Sequence, residues 1–291
     1  MYNLRASLLG FMLALGSWSA MLRAAEPEPF VLTWEDNILT IRRPPEAFPQ
    51  IPGGAIRVHY IEAYCRPGST DRDWRQTTIG HKTEIVGGKQ GSSHLALRCT
   101  LKDGVVVDHD LRGLPSSVEF QLTAHNPTSH ESSVQWAQPC VRVDRFTGKT
   151  QQTYLEKCFI FVDGKLTRLP TFPWATQARY VPGQVWAPRH VDRNDVNPRP
   201  LSRIVASNGL IGCFSADEKT ILATAWEPYQ ELFQGVVTCI HSDFRIGGLK
   251  PNETKKIRGK LYVTDAGIAP LLERYRRDFP EHVAQTEETG H

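Results

Sequence analysis

The chain has 291 residues, of which 40% are hydrophobic and 22% are charged, and its formal net charge is +3. This is the composition of a globular protein, and the length suits one large β domain. Two of the positive charges, Arg5 and Arg23, lie in the N-terminal segment described next, so the remainder is close to neutral and no nucleic-acid partner is expected.

The first 25 residues predict a signal peptide. Arg5 supplies a positive start, and residues 6–22 form an apolar run that is short for a membrane span. Ser17-Trp18-Ser19 and Ala24-Ala25 are the two candidate cleavage sites, and an uncleaved anchor is the alternative. We therefore expect a secreted or periplasmic protein with no membrane span after the leader is cleaved.

Six cysteines follow this leader: Cys65, Cys99, Cys140, Cys158, Cys213 and Cys239. An even number in an exported chain favours disulfides, and the most natural pairs are neighbours in sequence, 65 with 99, 140 with 158 and 213 with 239. Buried free thiols within strands are an equally good alternative. Because no pair has C-x-x-C spacing, a zinc ribbon or redox motif is not predicted, and we expect no metal and no cofactor.

From Phe30 onward, short apolar runs alternate with turn residues, which predicts strands joined by hairpins. Lys102-Asp103-Gly104 is a strong hairpin signal of this kind. No βαβ alternation and no internal repeat is found. The pattern predicts strands at 30–34, 38–42, 56–64, 79–86, 94–101, 105–111, 118–125, 134–146, 154–162, 204–210, 211–214, 221–226, 232–241 and 255–263.

Pro270 begins the one segment with helical spacing. Its apolar residues share one side of a helix: Leu271, Leu272, Tyr275 and Phe279. We expect this helix to cover an edge or an end of a sheet. The predicted fold class is therefore all-β, a large antiparallel β-sandwich with one C-terminal helix. Residues 26–280 are assigned to a single domain and residues 281–291 to a polar, frayed tail.

Residues 124–148 combine apolar alternation with many polar groups. Four side chains lie two positions apart and so share one face of a strand: Trp136, Gln138, Arg142 and Asp144. An aromatic ring, an amide, a guanidinium and a carboxylate are the groups that a carbohydrate site uses, so we predict that these residues bind substrate. The alternative is an Arg142–Asp144 surface pair with Trp136 in the core, and Pro139 could shift the register.

Histidines at strand ends are candidates for acid–base chemistry. His125 ends one predicted strand, and His241 lies two residues before Asp243 at the end of another. We predict these three residues as catalytic, with a turn as the structural alternative in each case. His59 and His109 are further candidates, and no spacing among these groups is diagnostic of a metal site.

Residues 185–199 form part of a long loop with many charged and amide groups, which is typical of a lid or rim. Four of its residues are predicted to contact substrate: Trp186, Arg189, Asp192 and Arg199. The alternative is a loop held by its own ion pairs. Signatures of known enzymes are missing, since the sequence contains neither G-x-S-x-G nor H-E-x-x-H.

The strand ending Cys239-Ile-His-Ser-Asp243 and the C-terminal helix resemble exported proteins of unknown function from planctomycete-type bacteria. The strand rhythm is similar to the galactose-mutarotase-like supersandwich, in which two histidines and a glutamate open and close a sugar ring. The nearest counterpart of that family's Asn-x-Thr-Asn-His motif is Asn126-Pro-Thr-Ser-His130, which lacks the second Asn. No glutamate can be assigned as the base. The resemblance implies a sugar-binding supersandwich.

The leading hypothesis is an exported carbohydrate-binding or carbohydrate-processing β-sandwich whose partner is a glycan or a small sugar. Any chemistry on the sugar is expected to be acid–base in character, either epimerase-like or lyase-like. The alternative is a non-catalytic binding or structural module of the cell envelope. A deep pocket with paired acid–base groups would favour the enzyme, and a flat face without them would favour the module.

Overall fold

The computed structural model describes residues 28–46, 49–70, 72–169, 184–198, 201–235 and 237–282. Their strands form two antiparallel sheets with a shared apolar core and a C-terminal helix. The predicted all-β sandwich is therefore confirmed. The predicted signal peptide lies outside the described residues. Within them, no helix is both long and apolar enough to cross a membrane.

Sheet A contains eight strands. They are β1 (Val31–Glu35), β2 (Ile38–Arg42), β3 (Ile56–Cys65), β4 (Thr78–Ile79), β9 (Trp136–Arg142), β12 (Gln184–Trp186), β15 (Tyr229–Gln234) and β16 (Cys239–Arg245). Their order is β1-β2-β3-β9-β16-β15-β12, and β4 pairs with the end of β3. Every neighbouring pair is antiparallel.

Sheet B contains nine strands. They are β5 (His81–Gly88), β6 (His94–Leu101), β7 (Val106–Leu114), β8 (Ser117–His125), β10 (Cys158–Val162), β11 (Lys165–Arg168), β13 (Ile211–Phe214), β14 (Thr220–Glu227) and β17 (Thr254–Asp265). Their order is β11-β10-β13-β14-β17-β8-β7-β6-β5, and again all neighbours are antiparallel.

Helical segments are short except at the C-terminus. They are α1 (Trp74–Thr77), α2 (Asp144–Thr147), a 3₁₀ turn (Tyr154–Lys157) and α3 (Ile268–Asp278). The apolar side of α3 packs on the outer face of sheet B, where Tyr275 and Leu271 join a cluster with Phe159. The helix therefore covers a sheet face, whereas we expected it to cover an edge or an end.

The chain just after α3 is held in place, although we predicted a frayed tail from residue 281. The imidazole of His282 lies 2.7 Å from a Glu227 carboxylate oxygen, and Arg258 pairs with Glu281 at 2.5 Å. His282 is buried. The remainder of the predicted tail, residues 283–291, lies outside the described residues.

The core lies between the inner faces of the two sheets, because strand alternation directs every second side chain inward. Trp226 of β14 contacts Phe244 of β16 with ring centroids 4.8 Å apart, and Phe120 of β8 contacts Tyr60 of β3 at 5.4 Å. These aromatic pairs join sheet B to sheet A. Burial of such rings contributes on the order of 2–3 kcal/mol each.

One histidine is enclosed in this core. His109 of β7 forms hydrogen bonds with the hydroxyl groups of two tyrosines from β3. Tyr60 Oη lies 2.8 Å from Nδ1, and Tyr64 Oη lies 3.1 Å from Nε2. A neutral imidazole has one donor and one acceptor nitrogen, so both ring nitrogens are satisfied. Burial lowers the pKa of His109 to about 3. This candidate histidine is therefore a structural link between the sheets.

All six cysteines are buried and carry free thiols, so the predicted disulfides are not formed. Strand pairing explains the difference, because it brings together residues that are distant in sequence. Cys158 lies opposite Cys213 on neighbouring strands, and Cys140 lies close to Cys239. The expected pairs 65–99, 140–158 and 213–239 were wrong, and the alternative of buried thiols is what the structure has.

Candidate functional site

The outer face of sheet A carries most of the polar residues that the sandwich could offer to a ligand. Alternation along β3 and β16 sends Val58, Ile240 and Phe244 into the core and leaves His59 and His241 on the outer side. This face has two halves. Around β1, β2 and β3 it is open, and around β15 and β16 it is covered by residues 187–198, which we call the cover.

The open half forms a groove of about 740 Å³, which we call the open groove. Its volume lies within the range of small-ligand sites. It is lined by residues of β1, β2, β3, β9, the start of α2 and the adjoining turns, together with Gln90 from the loop between β5 and β6. These residues are Thr33, Trp34, Glu35, Asp36, Ile38, Thr40, Arg42, Ala55, Arg57, His59, Gln90, Arg142, Asp144 and Arg145.

Four arginines dominate the charge of the open groove: Arg42, Arg57, Arg142 and Arg145. Strand register places Arg57 directly opposite Arg142 on the neighbouring strand. Among the described residues, none of the four guanidinium groups forms a hydrogen bond or an ion pair with a protein group, and the Arg142 Nε is buried without an acceptor. Three carboxylates also line the groove, so its formal charge is four minus three, or +1, with a neutral histidine.

Aromatic stacking contributes little to the open groove. Trp34 is the only Trp, Tyr or Phe among the described residues that line it. Its indole N–H donates to the Tyr60 carbonyl at 3.1 Å, and its ring packs against the core. His59 also lines the groove, and burial, Arg142 and His241 lower its pKa although Glu62 opposes them. The groove is therefore a polar, guanidinium-rich surface.

The covered half contains buried titratable side chains. Glu231 of β15 lies opposite Asp243 of β16, and His241 follows on the same face. Each of the three is at most 1% exposed. The His241 Nδ1 lies 3.5 Å from an Asp243 oxygen, and neither this nitrogen nor either Asp243 oxygen has a hydrogen-bond partner among the described residues.

The cover is held over this half by polar contacts. The Glu231 carboxylate accepts the Asn197 backbone N–H, with both oxygens 3.0 Å from the nitrogen. Asp195 lies 3.6 Å from Arg245 and accepts a hydrogen bond from the Ser69 hydroxyl at 3.4 Å. Apolar side chains of the cover, among them Val196, pack on β15. The covered half is consequently closed to a ligand of sugar size.

Burial and mutual repulsion control protonation in the covered half. Burial and the neighbouring Asp243 raise the pKa of Glu231 well above its usual range. Burial also raises the pKa of Asp243 to about 6, although His241 lowers it. Burial works against protonation of His241, but Cys140 and Asp243 outweigh it and raise the His241 pKa.

Two sets of potential metal ligands lie between the halves. Cys140, Cys239 and His241 have donor atoms within 4.8 Å of one another, and all three residues are buried. The donor atoms of His59, Glu62 and Cys140, on the groove side, also lie within 4.8 Å of one another. The Cys140 sulfur thus belongs to both sets.

The predicted catalytic residues are not assembled. His241 and Asp243 are neighbours on sheet A, but neither lines the open groove. His125 lies on β8 of sheet B, where its Nδ1 is 2.9 Å from the Thr254 hydroxyl. Its strand neighbours Leu122 and Ala124 face the core, so His125 points away from sheet A. The structure therefore does not bring these three residues together.

The predicted substrate-binding residues divide between the two halves. Arg142 and Asp144 line the open groove, and no ion pair joins them among the described residues. Trp136 and Gln138 share the Arg142 face of β9 but are buried in the covered half, so Trp136 offers no open ring. Its indole N–H donates to the Ser69 hydroxyl at 3.1 Å.

The loop residues predicted to bind substrate do not line the groove. Trp186 belongs to the core between the sheets, because β12 turns its ring inward. Arg189 and Asp192 are exposed on the cover, and an Asp192 oxygen accepts the Asn194 N–H within a turn. Arg199 lies outside the described residues.

The counterpart of the mutarotase motif organises a turn. The Asn126 side chain is fully buried and donates to the His130 carbonyl at 2.7 Å and the Leu249 carbonyl at 3.1 Å. It also accepts the Thr128 N–H at 3.1 Å. His130 is exposed. In this chain the motif counterpart is therefore a structural turn.

Sequence reasoning missed three residues of this face. Arg42 and Arg57 line the open groove, and Glu231 anchors the cover. A signal was available for Arg57, because it lies two residues before His59 on a strand with strict alternation. None was available for Glu231, since its partner Asn197 is 34 residues away.

No protein-family model matches the chain, and no curated protein sequence matches it. Among solved structures, the chain is similar to a putative aldose 1-epimerase from Escherichia coli K12, with 10% identity, a TM-score of 0.42, and coverage of 81% of this chain and 99% of that one.

Two further solved structures are similar at the same level. A galactose mutarotase-like protein from Lactobacillus casei ATCC 334 has 7% identity, a TM-score of 0.44, and coverage of 80% of this chain and 99% of that one. A galactose 1-epimerase from Lactobacillus acidophilus NCFM has 10% identity, a TM-score of 0.35, and coverage of 82% and 98%. At these scores, the chemistry of the site has to be derived from the residues of this chain alone.

Proposed function

We propose that the protein is an exported β-sandwich that binds an acidic carbohydrate in the open groove. The ligand class is a sugar that carries carboxylate groups, such as a uronic acid oligomer. Arg57 and Arg142 would bind a carboxylate, and neighbouring side chains would bind the hydroxyl groups.

The observation that carries this proposal is the set of groove guanidinium groups that have no hydrogen-bond or ion-pair partner within the described part of the chain. Arginine is rarely left without an acceptor when it is partly buried, and the Arg142 Nε lacks one. Planar guanidinium groups bind carboxylates through two parallel hydrogen bonds, each stronger than a neutral one. Because Arg57 and Arg142 are cross-strand neighbours, one carboxylate could lie between them.

The remaining groups of the open groove favour a sugar over a simple polyanion. Thr33 and Thr40 offer hydroxyl groups, and Glu35 and Asp36 offer acceptors for sugar hydroxyls. These carboxylates would repel a nucleic acid or a densely charged polymer. The mixture suits a ligand with many hydroxyls and few negative charges.

Binding is supported better than catalysis. Two of the three sheet A candidates for acid–base chemistry, His241 and Asp243, are buried beneath the cover, and only His59 lines the groove. Catalytic groups must reach the reacting atoms within hydrogen-bond distance, directly or through one water. Export remains part of the proposal on the strength of the N-terminal sequence.

The test is titration calorimetry with an oligogalacturonide and with a neutral oligosaccharide of the same length. We expect binding of the acidic sugar only, weakened roughly 10- to 100-fold by Arg57→Ala or Arg142→Ala, since hydrogen bonds to charged groups contribute about 1.5–3 kcal/mol. The control is Arg98→Ala, because Arg98 is an exposed arginine of sheet B that is paired with Asp108.

Equal binding of both sugars, or unchanged affinity in both groove variants, would contradict the proposal. Turnover of the acidic sugar, followed by NMR of the ligand, would show that binding is only part of the function.

A further inference from the structure

We propose that Cys140, Cys239 and His241 bind a zinc ion between the covered half and the open groove. This inference is independent of the proposed sugar ligand. It concerns a cluster beside the groove, and none of these three residues lines the groove.

Strand geometry brings the three ligands together. Cys239 and His241 are two residues apart on β16, so both point to the outer face. Cys239 pairs with Arg142 and Ile240 pairs with Val141. The same register, extended by one residue, places Cys140 opposite His241. Three donors therefore converge from two adjacent strands.

The spacing of these donors suits a tetrahedral metal ion. The Cys239 sulfur lies 3.2 Å from the His241 Nε2, and all three donor atoms lie within 4.8 Å of one another. Zinc bonds to sulfur and nitrogen place neighbouring tetrahedral ligands about 3.5–3.8 Å apart. Small side-chain movements would complete that geometry.

A second observation also indicates a cation here. With Nε2 facing the sulfurs, the His241 Nδ1 faces Asp243 Oδ1 at 3.5 Å. Metal-bound histidines commonly donate their other ring N–H to a carboxylate, which fixes the ring. Both Asp243 oxygens and the Nδ1 are buried without hydrogen-bond partners among the described residues. A metal on Nε2 would place a proton on Nδ1 and tighten this contact.

Charge balance supports zinc as the class of ion. On binding, the two thiol protons and any proton on the His241 Nε2 pass to solvent, so the two thiolates neutralise the divalent ion and His241 binds as a neutral imidazole. Two thiolates and an imidazole are ligands that zinc accepts, whereas calcium and magnesium require oxygen ligands. Zinc binding is not a redox step, so no oxidant or reductant is needed.

The groove side offers a candidate for the fourth coordination position. His59 lies opposite Cys140, and its ring nitrogen is within 4.8 Å of the Cys140 sulfur. We assign His59 to this position. Because it comes from the more open side, its loss should weaken zinc binding less than loss of either cysteine.

The chain contains a matched control. Cys158 and Cys213 are also buried free thiols opposite each other on adjacent strands, but they lie on sheet B and do not appear among the described sets of metal ligands. A Cys140–Cys239 disulfide is the competing outcome for an exported chain, and it would make the protein lighter by two hydrogens.

The experiment measures zinc content of the full chain, purified without chelators, by elemental analysis and native mass spectrometry. We expect about one zinc per chain in the wild type and in Cys213→Ser, a strong loss in Cys140→Ser and Cys239→Ser, and a smaller loss in His59→Ala. Zinc retained in both Cys140→Ser and Cys239→Ser would overturn the proposal, as would a zinc-free wild type with a Cys140–Cys239 disulfide.

A second measurement covers variants that fail to fold. The wild-type chain is stripped with a chelator, kept reduced, and titrated with Co²⁺ as a spectroscopic probe. We expect thiolate-to-cobalt charge-transfer absorption that zinc abolishes and that Cys213→Ser retains. Absence of this absorption in folded wild-type protein would contradict the site directly.

Discussion

The outer face of sheet A shows how one strand pattern produces two different environments. In the open half, Arg57 and Arg142 face the groove and have no hydrogen-bond or ion-pair partner among the described residues. In the covered half, Trp136 and Glu231 bond to other protein groups and are fully buried. Alternation determines which face a side chain is on, and tertiary packing determines whether that face is available. Binding should therefore depend on the open half and stability on the covered half.

The largest effect is expected at Trp136. Replacing this buried ring with alanine leaves a cavity, so Trp136→Ala should lower the free energy of unfolding by about 3–5 kcal/mol. Urea denaturation followed by circular dichroism measures this difference. Wild-type stability combined with lost sugar binding would show that Trp136 is a ligand platform, and the division into two halves would then be wrong.

The second effect is expected at the buried His109, whose two ring nitrogens both form hydrogen bonds. The contribution of His109 to the free energy of unfolding depends on pH. Its folded pKa of about 3 lies below the ordinary 6.5, so below pH 6.5 the unfolded chain binds more protons and stability falls with falling pH. Between pH 6.5 and pH 4.5 this residue should contribute a loss of roughly 2–3 kcal/mol.

Urea denaturation of wild type and His109→Gln at both pH values measures the pH-dependent contribution of His109 to stability, because glutamine does not titrate. The variant should lose less stability than the wild type over that interval. Identical pH dependence of the two proteins would mean that His109 is not enclosed as described.

The cover should open when its anchor is removed. Glu231→Ala deletes the acceptor of the Asn197 N–H, which costs roughly 1–3 kcal/mol when the donor stays buried. Hydrogen exchange should become faster within residues 187–198 and remain unchanged in sheet B. Glu35→Ala is the control, since Glu35 is an exposed carboxylate of the open groove. Unchanged exchange in Glu231→Ala would show that other contacts hold the cover.

The smallest effect on stability is expected in the open half. Arg57 is exposed and has no protein partner among the described residues, so Arg57→Ala should change the unfolding free energy by less than about 0.5 kcal/mol. Thermal unfolding of Arg57→Ala and Trp136→Ala in one series compares the stability effect of a change in the open half with that of a change in the covered half. A large loss in Arg57→Ala would mean that the groove arginines stabilise the fold.

The sandwich was predictable because period-two alternation is a local property. Strands such as Ile38–Arg42 and His94–Leu101 have the bounds that alternation predicts, and the apolar spacing from Leu271 to Phe279 predicted α3. Disulfide pairing was not predictable in this way. The expected partners, 65 with 99, 140 with 158 and 213 with 239, lie on strands that do not pair, whereas Cys158 and Cys213 meet only through the order of strands in sheet B.

The candidate site was predictable only in part, for a related reason. Alternation along β9 placed Trp136 and Arg142 on one face, but no local signal shows that the cover buries one end of that strand and leaves the other open. The partner of Arg142 in the groove is Arg57, which lies 85 positions earlier in the sequence (142 minus 57). His125 was grouped with His241 although they occupy different sheets, which only the strand order reveals.

The central claim is that the open half binds an acidic sugar, and a crystal structure with a bound oligogalacturonide tests it most directly. We expect electron density for the sugar in the open groove, with a ligand carboxylate within hydrogen-bond distance of Arg57 and Arg142 and with the cover in place. A ligand bound over β15 and β16 with the cover displaced, or an empty groove at saturating sugar, would contradict it.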